Sequence, residues 1–227
     1  MLQKLLYGFS RILLLIFSAI MLRFEIRRHT HLPAGPKIFV SNHPSATDPF
    51  LIHLVSKEKL NVMITANAFQ VPVFGSFLRR VGEIPVPLEQ GSAALEHANE
   101  YLQRGRSVAI FIEGHISPEE GGFLPPHTGA ARLALNSRVP VVPVGISLRR
   151  DRCLNIRSRI AGEHLEARWY LRGPYSITVG QPLHFDGSHE DRELVRKISE
   201  IMMDKIRLLA HESERRMHRP RLSGVTV

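Results

Sequence analysis

Short apolar runs alternate along the chain with amphipathic segments of helical periodicity. The apolar runs have the length of buried strands, and they occupy residues 37–40, 60–66, 106–112 and 139–146. Between the second and third runs, residues 92–104 form an amphipathic helix pattern, with Ser92 placed to cap the helix and Gly105 to end it. This alternation predicts an α/β fold. A chain of 227 residues is long enough for one such domain with a sizeable core.

The C-terminal third adds two further elements to this pattern. Residues 165–183 carry aromatic side chains and a Gly-Gln-Pro turn at 180–182, and they are predicted to form a closing hairpin. Residues 188–212 have an apolar stripe at helical spacing and are predicted to form the last helix. The arginines that follow, at positions 215, 216, 219 and 221, are interpreted as a disordered basic tail able to contact lipid headgroups.

The first apolar run leads directly into a polar stretch, Ser-Asn-His-Pro-Ser-Ala-Thr-Asp-Pro, at residues 41–49. Asp48 is predicted to be the N-cap of the next helix, with Pro49 at its first position. This succession of strand, turn and helix places His43 and Asp48 at the carboxyl end of a strand. That end is where α/β sheets commonly carry their chemistry.

His43 and Asp48 are suited to act together. Their spacing turns a helix by roughly 500°, so they could not share a helical face, but they can meet across a turn. The carboxylate would accept the Nδ1 proton of His43 and fix its tautomer, which leaves Nε2 as a base for a substrate hydroxyl. The alternative is that Asp48 is only a helix cap and His43 only a turn residue.

The N-terminal segment is the most apolar part of the chain. Apolar residues recur at helical spacing from residue 2 to residue 22, and residues 12–22 are apolar on nearly every side. That stretch is only about half of the roughly 20 residues that a bilayer-spanning helix needs, and Arg11 and Arg23 flank it. We therefore expect an interfacial helix lying in one leaflet, with a short span or a signal peptide as the alternatives.

The charge of the chain points to an anionic partner. A formal net charge of +9 suits either nucleic acid or an anionic lipid surface. The chain has no nucleic-acid-binding motif and its arginines are dispersed, so we expect membrane lipids as the partner and no nucleic acid. These features predict a peripheral or monotopic protein on the cytoplasmic face of the cell membrane. The single cysteine, Cys153, rules out a disulfide framework within the chain and favours a reducing compartment.

The stretch from Asn42 to Pro49 resembles the H-x4-D signature of the glycerolipid acyltransferases, the lysophosphatidate and glycerol-3-phosphate acyltransferase superfamily. Three later blocks match this family in the same order, at residues 82–88, 113–117 and 139–146, so the resemblance covers roughly residues 35–183. It implies a single α/β domain with a mostly parallel or mixed central sheet flanked by helices. It also implies domain limits, with a membrane-associated helical segment at 1–28, an acyltransferase domain at 29–214 and the basic tail at 215–227.

The resemblance implies a reaction as well. His43, held by Asp48, would take the proton of a lipid hydroxyl, which then attacks an acyl thioester. The acyl donor would be acyl-CoA or acyl-carrier protein, with no further cofactor, while the oligomeric state is left open. Further substrate-binding candidates are the residues that occupy the family's second and third blocks and the loop after them: Gly82, Ile84, Glu113, Gly114, His115 and His127.

The chain departs from the family at the basic positions that hold a phosphate on the acceptor. Those positions read Asn67, Leu88 and Ile116 here. Because a phosphomonoester is normally held by paired arginine contacts, the expected acceptor is not glycerol-3-phosphate and has no terminal phosphate. The alternative is that Arg79 and Arg80, or the two histidines His115 and His127, have taken over this role.

Other functions remain open at this point. The same two residues could activate water, which would make the protein a lipid hydrolase or thioesterase, or the chain could be a non-catalytic membrane lipid-binding protein. The set His43, Glu113, His115 and His127 could in principle bind a metal ion, but its spacing fits no standard zinc pattern, and no metal is predicted.

Overall fold

The computed structural model describes residues 2–87, 91–160 and 163–218. Its helices are α1 (Leu2–Met21), α2 (Asp48–Leu51), α3 (Phe74–Val81), α4 (Gly91–Gln103), α5 (Gly129–Ser137) and α6 (Arg192–Met217). Its strands are β1 (Leu22–Arg28), β2 (Ile38–Ser41), β3 (Leu60–Thr65), β4 (Ile84–Val86), β5 (Ser107–Phe111), β6 (Val141–Leu148), β7 (Leu154–Ile160), β8 (Glu163–Trp169) and β9 (Gly173–Val179). Short 3₁₀ turns follow α2, β3 and β6.

Seven strands form one central sheet in the order β1-β9-β6-β2-β5-β3-β4. The pairing of β6 with β9 is antiparallel and the other pairings in this sheet are parallel. Successive side chains of β2 point to opposite faces of the sheet. Ile38 and Val40 pack in the core between the sheet and α4, α5 and α6, while Phe39 packs in the core on the side of α1 and α2. The predicted α/β fold with a mostly parallel sheet between helices is confirmed.

One edge of this sheet collects the loops that follow its central strands. In the parallel register Ser41 of β2 lies opposite Phe111 of β5 and Val144 of β6, so the three strands run towards the same edge. We call it the carboxyl edge. The strand β9 runs the other way beside β6, so its first residue, Gly173, also lies there.

The predicted hairpin at 165–183 is wrong. Strands β7 and β8 form a separate two-stranded hairpin, and β9 instead enters the central sheet between β1 and β6. The reason is burial: every residue of β9 is buried, so the strand needs cover on both faces, which an isolated hairpin could not give it.

The domain limit expected at residue 28 also differs. The helix α1 ends at Met21, and Leu22–Arg28 is an edge strand of the central sheet, paired with β9 along its whole length. The N-terminal segment is therefore a helix followed by a strand that belongs to the domain.

The C-terminal helix lies four to five residues further along the chain than predicted. It begins at Arg192, where the Asp191 side chain caps it by accepting from two backbone N–H groups, and it continues to Met217. Arg216 is almost buried and bonds to Glu25 at 2.9 Å and Glu212 at 3.1 Å, which holds the last turn against the sheet. The first arginines of the predicted tail thus lie in the helix, and residues 219–227 lie outside the described residues.

The helix α1 packs on the domain through one side and exposes the other. Arg11 donates to the backbone carbonyls of His53 at 2.6 Å and Ser56 at 2.7 Å. The exposed side carries large apolar residues: Leu5, Phe9, Ile12, Leu13, Leu15, Ile16, Ile20 and Met21. Within the described ranges, no helix has the combination of length and apolar content that crossing a bilayer requires.

Candidate active site

The turn after β2 is fixed by the buried side chain of Asn42. Its Nδ2 donates to the carbonyl of Ile146 at 2.9 Å, and its Oδ1 accepts from the N–H of the same residue at 2.8 Å. An asparagine side chain can pair with a strand in this way because it offers a donor and an acceptor together. This pairing to β6 sets the direction in which the next residue, His43, leaves the sheet.

His43 and Asp48 meet across this turn, with 3.0 Å between His43 Nδ1 and an oxygen of Asp48. Since an ionised carboxylate can only accept, this contact favours the neutral tautomer of His43 in which Nδ1 carries the proton and Nε2 carries none. The His43 ring stacks on Phe111 with a centroid distance of 4.3 Å, and its side chain is 15% exposed. The ring is therefore held in one orientation and is still reachable from outside.

Asp48 is fully buried, and four donors surround its carboxylate. Besides His43, it accepts from the N–H of Ser45, the hydroxyl of Ser45 and the hydroxyl of Tyr175, each at 2.7 Å. A buried carboxylate is tolerated only when its charge is satisfied in this manner.

The predicted capping role of Asp48 is wrong. The helix α2 begins at Asp48, and Thr47 is the N-cap but makes no side-chain cap hydrogen bond. The Asp48 oxygens face the four donors named above, and the N–H groups of Phe50 and Leu51, which a cap would engage, donate instead to the carbonyl of Thr47. The hydroxyl of Thr47 instead bonds to the N–H of Tyr170 at 2.9 Å, and the N–H of Ala46 donates to the carbonyl of Arg168 at 2.7 Å. The turn is thereby tied to the end of β8.

Tyr175 is a functional residue that the sequence reasoning missed. It lies on β9, far from Asp48 in sequence, and is fully buried. Burial, and then the charge of Asp48, raise its pKa well above the usual value. The hydroxyl therefore stays protonated and remains a donor to Asp48. The available signal was a single aromatic residue in a strand of small and β-branched residues.

Glu113 follows β5 and supports the site from within. It is almost completely buried, and it accepts from the N–H of His43 at 2.9 Å, the hydroxyl of Ser117 at 2.7 Å and the N–H of Leu124 at 2.7 Å. Its carboxylate ties three loop segments together instead of projecting towards a ligand. Glu113 was predicted to bind substrate, and the contacts seen in the structure are with the protein's own loops.

His115 and His127 lie close together on the surface beside Glu113, with ring centroids 6.5 Å apart. They line a shallow depression of about 330 Å³ together with Leu124, Pro125 and Pro126. Gly114, with φ +71°, allows this arrangement because a Cβ there would lie 2.7 Å from the His127 ring. The structure therefore brings four of the predicted substrate-binding residues to the carboxyl edge: Glu113, Gly114, His115 and His127.

Gly82 and Ile84 do not reach this edge. Ile84 is fully buried in the core. Gly82 precedes β4, which runs parallel to β3, so it lies at the opposite edge of the sheet. Its φ of +88° ends α3, and a Cβ there would lie 2.7 Å from Gln3 Nε2. The assignment of these two residues to substrate binding is corrected: helix termination and core packing account for both.

Two arginines that the sequence reasoning overlooked bring positive charge to the carboxyl edge. Arg150 donates to the carbonyls of Pro118 and Gly122, and Arg168 donates to the carbonyl of Ser117. Burial, and then the charge of Arg168, lower the pKa of Arg150. Both arginines hold the loop that follows Glu113. Little in the sequence indicated this role, because only a position after or within a predicted strand distinguished these two arginines from the many others in the chain.

Two of the three positions that are basic in the family, Asn67 and Ile116, lie within the described residues. Asn67 lies in the 3₁₀ turn after β3, and Ile116 is partly buried between His115 and Ser117. Leu88 lies outside the described residues. Arg79 donates to the carbonyl of Phe69 at 2.8 Å.

Cys153 has no features of a nucleophile. Burial raises its pKa to about 11, so it is a thiol at neutral pH. Across the ranges that the structure describes, no three side chains of His, Cys, Asp or Glu converge in a way that could hold a metal ion. The four residues considered for a metal site thus do not converge as a ligand set.

Comparisons with known proteins identify the family of the chain. A family model described as Acyltransferase matches residues 23–147. The chain is 25% identical over 174 residues to a 1-acyl-sn-glycerol-3-phosphate acyltransferase of Pseudomonas aeruginosa, an alignment that covers 73% of this chain and 61% of that protein. It is 32% identical over 132 residues to a lyso-ornithine lipid O-acyltransferase of the same organism, covering 57% of this chain and 50% of that protein.

A solved structure shares the fold. It is the crystal structure of the 1-acyl-sn-glycerophosphate acyltransferase PlsC from Thermotoga maritima, with a TM-score of 0.63 and 19% identity, covering 96% of this chain and 80% of that one. The chain spans between half and two thirds of the length of the two Pseudomonas aeruginosa relatives.

Proposed function

The chain belongs to the acyltransferase family, and from this premise we propose that it transfers a fatty acyl group from an acyl thioester to the hydroxyl of a lysolipid. One observation carries the proposal: His43 is held by Asp48 at the carboxyl edge with Nε2 left as a base. The acyl donor would be acyl-CoA or acyl-carrier protein.

The proposed reaction needs no acyl-enzyme. Nε2 of His43 takes the proton of the acceptor hydroxyl, and the oxygen attacks the thioester carbonyl. The carbon–sulfur bond then breaks, and the leaving thiolate takes the proton back from the imidazolium. Asp48 stabilises that imidazolium through the hydrogen bond to Nδ1. A positioned base of this kind contributes about 10²–10⁴-fold to the rate, and alignment of the two substrates supplies much of the rest.

We propose that the acceptor has no phosphomonoester. Neither Asn67 nor Ile116 offers the charge that a phosphomonoester requires. One relative is named for 1-acyl-sn-glycerol-3-phosphate and another, more identical over a shorter alignment, for lyso-ornithine lipid. A lyso-ornithine lipid or a lysophospholipid diester therefore fits better than lysophosphatidate or glycerol-3-phosphate. His115 and His127 are proposed to contact this acceptor from the depression they line.

The location proposed for the protein is the cytoplasmic face of the cell membrane, bound from one side. The exposed apolar side of α1 and the net charge of +9 support it. The proposed organisation is an amphipathic N-terminal helix followed by the acyltransferase domain.

Product analysis tests the reaction and the acceptor together. The purified protein is given labelled acyl-CoA, or acyl-carrier protein, with lysophosphatidate, lyso-ornithine lipid and a lysophospholipid diester in competition. We expect labelled diacyl product from an acceptor without a phosphomonoester. Release of labelled free fatty acid with no transfer would indicate a hydrolase, and neither product would indicate a binding protein; both results contradict the proposal.

A substitution sharpens the acceptor test. Replacing Ile116 and Leu88 together by arginine should shift the preference towards lysophosphatidate, because one charged hydrogen bond contributes about 1.5–3 kcal/mol. If the unmodified enzyme already selects lysophosphatidate over every other acceptor, the proposal on the acceptor is wrong.

A further inference from the structure

A second cleft opens at the carboxyl edge, beside the C-terminal end of α1. Its volume is about 520 Å³, and its lining includes Ile20, Met21, Arg23, Arg152 and Arg172. The three arginines come from three separate segments of the chain: the start of β1, the 3₁₀ turn after β6, and the connection from β8 to β9. Folding therefore brings together positive charges that are far apart in sequence. None of these residues belongs to the site around His43.

The arginines of this cleft form no ion pair with the residues that the structure describes. Arg23, Arg152 and Arg172 are exposed, and in the described part of the chain no carboxylate lies within ion-pair distance of any of them. The carboxylate of Asp151 is engaged by Arg149 through two hydrogen bonds of 2.8 and 2.7 Å. Guanidinium groups that share a cleft repel one another, and an anion bound between them relieves this repulsion. Planar guanidinium groups are also well matched to phosphate oxygens.

The cleft has an apolar rim. Ile20 is 74% exposed, and Met21 and Leu171 are also exposed beside the arginines in sequence. The exposed residues of α1 extend the apolar surface away from the cleft. An apolar surface next to a positive cleft matches the interface of a bilayer, where acyl chains and phosphate groups lie at adjacent depths. An anion free in solution would need the positive charge but not the apolar rim.

The cleft is close to the active site. Leu22 lies opposite Gly173 in the sheet, and Tyr175, two residues further along β9, donates to Asp48. The side chains of Tyr170 and Arg152 both lie against Gly173, because a Cβ at that position would be 2.5 Å from the Tyr170 hydroxyl and 3.3 Å from Nη1 of Arg152. A lipid held in the cleft would therefore lie at the same edge of the sheet as His43.

We infer that Arg23, Arg152 and Arg172 bind the phosphate group of an anionic phospholipid in a bilayer. Ile20, Met21 and Leu171 insert into the same leaflet, so that the carboxyl edge, and with it His43, faces the membrane. The inference deepens the proposed function, since it states how the enzyme would reach lipid substrates. The experiment that tests it measures membrane binding and not catalysis. The inference can therefore fail while the proposed reaction holds, and the proposed reaction can fail while the inference holds.

The test compares two variants that lose the same charge. Arg23→Gln, Arg152→Gln and Arg172→Gln are combined in one protein. The control combines Arg192→Gln, Arg196→Gln and Lys197→Gln, which are exposed on α6. Each is sedimented with vesicles of phosphatidylcholine alone, or of phosphatidylcholine and phosphatidylglycerol in equal parts. For the mixed vesicles we expect the cleft variant to bind about tenfold or more weakly than wild type, and the control to change by less than about threefold.

Circular dichroism establishes that both variants are folded, and single substitutions replace the triple variant if it does not fold. Equal losses in the cleft variant and the control would mean that only the overall charge matters, and would overturn the inference. Wild-type binding that is the same with and without phosphatidylglycerol would also overturn it. Inorganic phosphate, added at constant ionic strength, should not release the protein from the vesicles. If it does, the cleft is a site for free phosphate and not for a membrane.

Discussion

At the scale of single residues, the carboxylate of Asp48 depends on its surroundings. It is buried without a full counter-charge, and its stability rests on hydrogen bonds from His43, Ser45 and Tyr175. Removing one donor to a buried charged acceptor lowers the free energy of unfolding more than removing a hydrogen bond between two neutral groups. Tyr170 provides the comparison, because its buried hydroxyl donates to the carbonyl of Pro174 at 2.9 Å.

The first prediction concerns these two tyrosines. Tyr175→Phe should lower the free energy of unfolding by about 2 kcal/mol, and Tyr170→Phe by about 1 kcal/mol. Only Tyr175→Phe should also change the pH dependence of kcat, since Asp48 acts directly on His43. Urea denaturation and a pH–rate profile measure the two effects. Identical losses of stability and identical pH profiles in both variants would contradict the role assigned to Tyr175.

The second prediction concerns Lys59. Its Nζ is buried and has no hydrogen-bond partner among the described residues, and burial, followed by the charge of Arg106, lowers its pKa from 10.5 to about 8. The charged form of Lys59 is thus disfavoured in the folded protein, and burying it lowers the free energy of unfolding. This loss of stability is complete below about pH 8, where Lys59 is charged in both states, and it disappears as the pH rises towards 10.5.

Lys59→Met should therefore be more stable than wild type near neutral pH, and the difference should shrink between about pH 8 and 10.5. The free energy of unfolding is measured by urea denaturation for wild type and variant at each pH. Taking the difference between the two proteins cancels the contribution of all other titrating groups. A difference that is constant across this range would mean that the pKa of Lys59 is not lowered.

Much of the residue-scale site could be predicted from the sequence. The spacing of His43 and Asp48 showed that the two residues can meet across a turn, and the resemblance to the acyltransferase family favoured that contact over a separate cap and turn residue. The donors from β8 and β9 could not be predicted, because Tyr175 reaches Asp48 only through strand pairings between distant parts of the chain. The capping role of Asp48 was wrong for the same reason: local preference favoured a cap, and the interior donors prevailed.

At the scale of elements, α1 has two different sides. Arg11 and Tyr7 attach one side to the domain, and the other side exposes large apolar residues that have no cover in the described chain. Its helical periodicity was predicted from the sequence. The strand β1 after it was not predicted, although Leu22, Phe24 and Ile26 alternate with charged residues as in a half-buried strand. The segment up to residue 28 was instead assigned to the N-terminal helical segment, and its pairing with β9 could not be read from the sequence.

The third prediction follows from the exposed side of α1. Leu5→Ser, Phe9→Ser and Ile16→Ser together should move most of the protein from the membrane fraction to the soluble fraction, because transfer of each side chain into a bilayer contributes about 1 kcal/mol or more. The melting temperature should change little, since the three side chains are exposed. Cell fractionation and thermal melts measure these effects.

The matched control for α1 is Leu208→Ser, an exposed apolar residue on α6. It should leave the distribution between fractions unchanged. Retention of the triple variant in the membrane fraction would contradict the view that this side of α1 contacts lipid.

At the scale of the whole molecule, the sheet order explains the site. Segments from β2, β5, β6, β8 and β9 meet at one edge, although they extend over more than a hundred residues of sequence. The alternation of apolar runs predicted the α/β class, since each run had the length of a strand. It could not predict which strands are neighbours, because periodicity reports burial and not pairing partners. The hairpin at 165–183 was therefore wrong while the fold class was right.

The central claim is that His43 is the general base of acyl transfer. It is tested most directly by the rate of transfer from labelled acyl-CoA to the preferred acceptor, measured for His43→Gln and wild type with both substrates saturating. The account predicts a fall in kcat of about 10²–10⁴-fold, with circular dichroism and vesicle binding as in wild type. A His43→Gln variant that transfers acyl groups at the wild-type rate would contradict the account.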